Sequence, residues 1–283
     1  MAIKLYKPTT PSRRKTSIVS SSDVTKTRPE KNLTFTKKNF GGRNNSGQIT
    51  VRHHGGGAKR RIRIVDFKRS LYNQVAEVVA IEYDPNRSAR LALLRYPNHQ
   101  KTYILAADGL KVGDRVMSSR EKIDMNLGNR MPLEFIPLGI MVHNIELEPG
   151  SGGIIARSAG NGVLVQAIEG HFAQLKMPSG EIRLVKKECL ATIGAVGNPD
   201  HGLVRYGKAG RMRHKGIRPT VRGKAMNPCD HPHGGGEGRH PIGMPYAKTL
   251  WGKHALGVKT RKPKRWSNKM IITRRKRNRK EGQ

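Results

Sequence analysis

The sequence predicts an all-β protein, two small barrels held between long, basic and largely irregular extensions. Three observations lead there. Between Arg61 and Lys187 the apolar residues come in short runs separated by turn signals, with no stretch of 3.6-residue periodicity. Hydrophobic residues are 35% of the 283 and aromatic residues 5%, too few to fill one core for the whole chain. The charge of +35 is also segregated. Residues 1–69 hold 18 Lys and Arg against 3 acids, residues 70–200 hold 14 of each, and residues 201–283 hold 23 against 3. A neutral body thus lies between two cationic regions whose self-repulsion calls for a polyanion, and nucleic acid is the obvious one.

Taken in order, residues 1–60 form a basic extension. A first barrel over 61–130 is expected from strands at Ile62–Phe67, Val75–Tyr83, Leu91–Tyr96, Thr102–Leu105 and Arg115–Met117, with turns at Asp84-Pro85-Asn86 and Asp108-Gly109. The Pro- and Gly-containing stretch from Met131 to Gly139 marks a boundary near residue 130. A second barrel over 131–200 follows from Met141–Leu147, Ile154–Ser158, Val163–Ala167, Phe172–Met177 and Glu181–Val185, the last two joined by Pro178-Ser179-Gly180 as a hairpin. Residues 201–283 are too rich in Gly, Pro, His, Lys and Arg to be assigned a fold and are expected to order on a partner.

Several classes are disfavoured. No run of about 18 apolar residues occurs, the start lacks a signal-peptide core, and the basic tails are broken by Gly and Pro, so neither membrane binding nor export is expected. Cys189 and Cys229 stand alone, without a C-x-x-C pair, which fits a reducing compartment.

Four segments carry candidate chemistry. Arg52-His53-His54-Gly55-Gly56-Gly57-Ala58-Lys59-Arg60-Arg61, with Arg63 just beyond, combines a triple glycine that permits close backbone approach with cations for phosphate; it lacks a nucleotide-triphosphate loop's spacing. From Arg205, the cations Lys208, Arg211, Arg213, Lys215, Arg218, Arg222 and Lys224, with His214, are interleaved with glycines that exclude a long helix. Such an extended strip suits folded RNA, which is recognised by shape, phosphates and unstacked bases. The third segment, Met226-Asn227-Pro228-Cys229-Asp230-His231-Pro232-His233-Gly234-Gly235-Gly236-Glu237-Gly238-Arg239, admits three readings. A metal site would use Cys229, His231 and His233 but finds only a distant fourth ligand in His240. Acid–base chemistry would pair Asp230 with His231 but lacks a separate pocket. A stiff loop wedged into RNA, contacting it through Asn227, His231, His233, Gly234, Gly235, Gly236 and Arg239, is favoured. Last, residues 259–280 contain 12 Lys and Arg and no acid, among them Arg261, Lys262, Arg265, Arg274, Arg275 and Arg277, beside Trp251 and Trp266. Phosphate binding ranks first there and base stacking second.

On the glycine segment at 52–60, on Gly207-Lys208-Ala209-Gly210-Arg211 and above all on the loop from Met226 to Arg239, the chain resembles the universal L-two family of large-subunit ribosomal proteins in its bacterial or organellar form. The resemblance implies an oligonucleotide-binding (OB) type barrel followed by an SH3-like barrel. It implies large-subunit rRNA as partner near the peptidyl-transferase centre, with neighbouring ribosomal proteins, the small subunit and tRNA close by. It also implies roles in subunit joining and tRNA placement. Catalysis would belong to RNA: the chain is expected to be no enzyme, to need no cofactor or metal, and to form no homo-oligomer. His231, matching a loop histidine discussed in the family as catalytic, is carried over as an organising RNA contact. The expected location is the cytoplasmic ribosome, with an organellar ribosome as the alternative. Two departures stand out: Cys229 replaces a small aliphatic residue, and the segment from His240 to Lys269 is long and rich in Pro, Tyr and Trp.

Overall fold

A computed structural model describes residues 3–36, 38–238 and 240–275. Two compact units emerge. One comprises the chain up to Lys38, Lys59–Ala209 and the segment from Lys269 onward; the other comprises Asn39–Ala58 with Gly210–Asn268.

In the first unit, β1 (Ile3–Leu5) and β2 (Ser17–Val19) form an antiparallel ribbon around the short helix α1 (Pro11–Arg14). β3 (Thr34–Thr36) pairs with β4 (Arg61–Arg63). β5 (Ala76–Glu82), β6 (Leu91–Arg95), β7 (Lys101–Leu105) and β8 (Arg115–Val116) make an antiparallel sheet in the order β7-β6-β5-β8. β6 explains why its sequence, Leu-Ala-Leu-Leu, does not alternate: both faces are covered. Leu91 and Leu93 pack with Tyr103, Leu105 and Val196, whereas Ala92 and Leu94 pack with Val78, Ile104 and Val116. A bulge between Val78 and Ala80 bends β5, and parallel bridges Val65↔Tyr103 and Lys26↔Glu82 extend the pairing around the sheet.

The second sheet contains β9 (Arg130–Pro132), β10 (Met141–His143), β11 (Val163–Glu169), β12 (Phe172–Lys176), β13 (Ile182–Lys186), β14 (Leu190–Ile193) and β15 (Ile271–Thr273), in the order β15-β13-β12-β11-β10-β14-β9. Its core joins Met131, Leu133, Val142, Ile145, Val165, Leu175 and Ala191. The architecture is therefore all-β, with the small barrel-type sheets of OB and SH3-like folds. No helix among the described residues is long and apolar enough to cross a membrane.

Four differences from the sequence expectations have physical causes. The run expected at Ile154–Ser158 is no strand but a single bridge, Ile145↔Ile155, because Ala156 adopts φ +54°. Asn144 at φ +50° likewise ends β10 at His143. β9 falls inside the Pro-containing stretch expected as a boundary; it is a terminal strand of its sheet, where Pro132 can be tolerated. Finally, β15 lies in the region expected to order only on a partner, yet it pairs with β13 of this chain through Ile182↔Thr273 and Arg183↔Ile271.

A charged cluster is buried among these strands. Arg130 donates to Glu146 Oε1 at 2.7 Å, and both side chains are closed off from solvent (0% and 1% exposed). Arg130 also reaches the Lys68 carbonyl. Glu146 accepts N–H groups from Gly150 at 3.1 Å, Gly152 at 3.0 Å and Leu190 at 3.2 Å. Nearby, Arg69 donates to the Gly128 carbonyl at 2.6 Å, and burial pushes its guanidinium down to about 10. Burial also holds Arg130 below its ordinary value. Arg130→Met is expected to cost about 3–5 kcal/mol in denaturant unfolding, because Glu146 then keeps an unpaired buried charge. Glu146→Leu is expected to cost at least as much, since it strips partners from three backbone N–H groups as well as from Arg130.

His143 gives a pH dependence. Burial pushes its imidazole down to about 4, against which its bond to the Gly194 carbonyl at 2.7 Å works only partly. The unfolded chain then binds a proton that the folded one refuses between about pH 6.5 and 4. Stability is expected to fall with pH across that window by at most about 1.4 kcal/mol per unit. Urea titrations of His143→Gln should show a correspondingly smaller slope.

Candidate nucleic-acid interface

The second unit is poor in acids: sixteen Lys and Arg stand against two, Asp230 and Glu237. Its two parts, far apart in sequence, are stitched together by backbone. Gly55 N–H donates to the Gly216 carbonyl at 2.9 Å, Ala58 N–H to that of His214 at 2.9 Å, and Arg218 N–H to that of His53 at 2.9 Å, around the antiparallel bridge His54↔Ile217. The triple glycine was expected to offer close approach and N–H groups to phosphate. Its close approach is to the chain itself: a Cβ on Gly57 would stand 2.8 Å from the N and Cα of buried Gly216. What the stitch leaves outward is side chains, with Arg52, His54, His214, Lys215 and Arg218 exposed on the paired segments.

Glycine does not forbid all helix in the second segment. Ala209–His214 forms α2, six residues that break at Gly216 (φ +85°), so its cations are fanned from a turn rather than strung along an extended strip. Lys208 lies before the helix in the first unit, where Gly207 fits against Ser12 and Thr16, and Arg205 and Ser17 exchange hydrogen bonds at 2.8 and 2.9 Å.

The loop from Met226 closes on itself without strand or helix. The Asn227 carbonyl accepts N–H groups from Asp230 at 3.0 Å and His231 at 3.2 Å; Gly234 N–H donates to the His231 carbonyl at 2.8 Å and Gly235 N–H to that of Met226 at 3.0 Å. Glycines seat the rings: a Cβ on Gly223 would strike the His231 imidazole, one on Gly234 the Asn227 carbonyl, and one on Gly236 the His240 ring at 2.8 Å. His231 Nδ1 accepts the His233 N–H at 3.0 Å, and His233 Nε2 accepts the Lys248 N–H at 2.9 Å, the two rings lying 4.7 Å apart and tilted by 57°. Each imidazole therefore has one nitrogen committed as acceptor. When neutral, His231 carries its proton on Nε2 and His233 on Nδ1. Desolvation, then the charges of His231 and Lys248, holds His233 below the ordinary histidine range.

Neither chemical alternative is assembled in the loop. Among the described residues no hydrogen bond or ion pair joins Asp230 to His231, and no group of three or more His, Cys, Asp and Glu stands together as a metal ligand set. Cys229 is exposed and free.

The remaining expected contacts divide. Lys59, Arg61, Arg222, Lys262, Arg265, Arg274 and Arg275 are exposed. Arg60 is partly held by the Pro85 carbonyl at 3.3 Å. Arg63 does not present itself: it is buried, bonded to the Arg61 carbonyl at 3.3 Å and beside Asp84 at 4.0 Å, so it braces the barrel. Arg261 is turned inward to Asn268 at 2.6 Å and Ser267 at 2.9 Å. Arg239 and Arg277 lie outside the described residues. The sequence marks Gly216 and Gly223 only as glycines that interrupt a helix and does not single out Lys248; their seating roles arise through partners distant in the chain.

Barrel-type sheets together with cationic, self-braced loops fit an RNA-binding protein, and comparison with known families says of which kind. Residues 30–118 match the RNA-binding N-terminal domain of Ribosomal Proteins L2, and residues 126–252 match the C-terminal domain of the same proteins. The chain belongs to the ribosomal protein L2 family. It is accordingly a structural, RNA-binding protein of the ribosome.

Gly57→Ala is expected to force the 53–58 and 214–218 segments apart, seen as faster amide exchange at Gly216 and Arg218. Gly210→Ala, where an added Cβ meets nothing within 4 Å, should leave exchange there unchanged or slower.

Proposed function

We propose that the chain is a primary rRNA-binding protein of the large subunit that organises rRNA near the peptidyl-transferase centre, and thereby supports subunit association and tRNA placement. The observation that carries this reading is the loop from Met226 to Glu237. It is rigidified internally by glycine-seated histidines and set among cations in the sequence. In this role His231 is an organising contact: its committed Nδ1 leaves Nε2–H as a donor to phosphate or base, while the chemistry belongs to RNA. Arg52, Arg218 and Arg222 supply counter-charge with His54 beside them as a hydrogen-bonding ring; Lys262 and Arg265 of the same unit are exposed, as are Arg274 and Arg275 of the first unit. Large-subunit rRNA, neighbouring ribosomal proteins and the small-subunit interface are its partners, in the cytoplasmic ribosome or, alternatively, an organellar one.

Equilibrium binding to large-subunit rRNA fragments, small-subunit rRNA and duplex DNA across a salt series tests it. Specific binding to the first that survives high salt is expected; equal, steeply salt-dependent binding to all three would reduce the protein to a polycation. In reconstituted particles, His231→Ala is expected to lower assembly yield while leaving the rate of peptide-bond formation per assembled particle nearly unchanged. A large loss of rate in fully assembled particles would assign the imidazole a part in the chemistry instead.

A further inference from the structure

Residues Ala247–Ala255 form a tight hairpin within the second unit. Ala255 N–H donates to the Ala247 carbonyl at 2.8 Å, Lys248 bridges His254, and Thr249 N–H donates to the Lys253 carbonyl at 2.7 Å. The tip is a turn, Thr249-Leu250-Trp251-Gly252, closed by Gly252 N–H on the Thr249 carbonyl at 2.9 Å, with Gly252 at φ +72° and Thr249 Oγ1 accepting the Lys253 N–H at 3.2 Å. The base is braced twice, by the Tyr246 ring stacked on His254 at 4.2 Å and by the Lys248 N–H held on His233 Nε2. At the apex of this stiff projection stands Trp251, 76% exposed.

A lone Trp is more often packed than stacked, and the sequence left both open for Trp251. The structure leaves the indole outside any core. A single exposed apolar residue is ordinary, but here a turn braced at its base holds the indole out, a placement that suits a partner covering it. The surroundings say what: Lys248, Lys253 and His254 flank it, and the sequence has no acid between Glu237 and Glu281. Cations beside a flat aromatic face suit a strand whose phosphates meet the lysines while an unpaired base lies on the ring. A fully paired A-form helix offers no such face, because its bases are stacked on one another.

We infer that Trp251 is a stacking platform for an unpaired RNA base, carried on the 247–255 hairpin and aligned through its base to the His231–His233 loop. The inference rests on the RNA-binding reading above and adds to it a base-contacting residue and a preference for bulged or looped RNA over continuous duplex.

The test uses the full-length chain with Trp266→Phe, which leaves Trp251 as the single tryptophan. Its emission is followed while titrating an RNA stem with one unpaired adenine and the same stem fully paired. Quenching by the bulged stem alone is expected. Trp251→Ala is expected to weaken binding of the bulged stem by about 10-fold without changing its salt slope, since no phosphate contact is lost, and Trp251→Phe to restore most of the affinity. Binding of both stems without quenching, or equal quenching by both, overturns the stacking role and leaves RNA binding standing; the first result would turn attention to a protein partner for the indole. Binding of neither stem, nor of any rRNA fragment, overturns the RNA-binding reading along with it.

Discussion

The buried Arg130–Glu146 pair is the interaction on which the barrel body depends. Two opposite charges removed from water are tolerated because further hydrogen bonds answer them: Glu146 accepts three backbone N–H groups and Arg130 donates to a carbonyl, its Nε alone being left without a partner. Those partners come from different places: Lys68 before the first sheet, Gly150 and Gly152 after β10, Leu190 in β14. The pair thereby fixes loops that apolar packing alone would leave free to slide, because hydrophobic contact is not directional. Arg69, bonded to Gly128, extends the same device.

Residues 70–200 are neutral and internally braced, and the cationic charge is concentrated on either side of them in sequence. The second unit carries little that would count as a core, and its stability rests on backbone bonds between segments and on glycines that let chain lie against chain. Such a unit is held close to one shape, so that less ordering entropy is spent when a polyanion neutralises it. Its mutual repulsion is what the polyanion relieves.

The histidines illustrate how a motif that looks chemical in sequence can be structural in space. His231 and His233 sit two residues apart, and the geometry uses that spacing for a chain of N–H to imidazole bonds ending on Lys248 rather than for a proton relay to Asp230. Desolvation and neighbouring charge hold His233 below the ordinary histidine range, which favours the form with an acceptor nitrogen. A loop built this way presents a fixed shape and a donor, which is what recognition of folded RNA requires.

Much of this protein was legible in its sequence: the all-β class from short apolar runs, the principal strands β5, β6, β7, β11, β12 and β13 from their β-branched and aliphatic composition, and the polyanion partner from the segregation of charge. These properties are local or additive, so they survive without knowledge of who touches whom. The partners of glycine and of buried charge are not local. Gly57 reads as close approach to phosphate until Gly216 is found opposite it; Arg63 reads as a free cation until Asp84 is found beside it; Ile271–Thr273 reads as tail until β13 offers an edge. Trp251 reads as able to pack or to stack until the hairpin turns it outward. The sequence by itself determined which groups the protein has and which class of partner their charge demands, while tertiary structure alone decided which of them are spent on the protein and which are left for RNA, because that choice depends on contacts between residues distant in the chain.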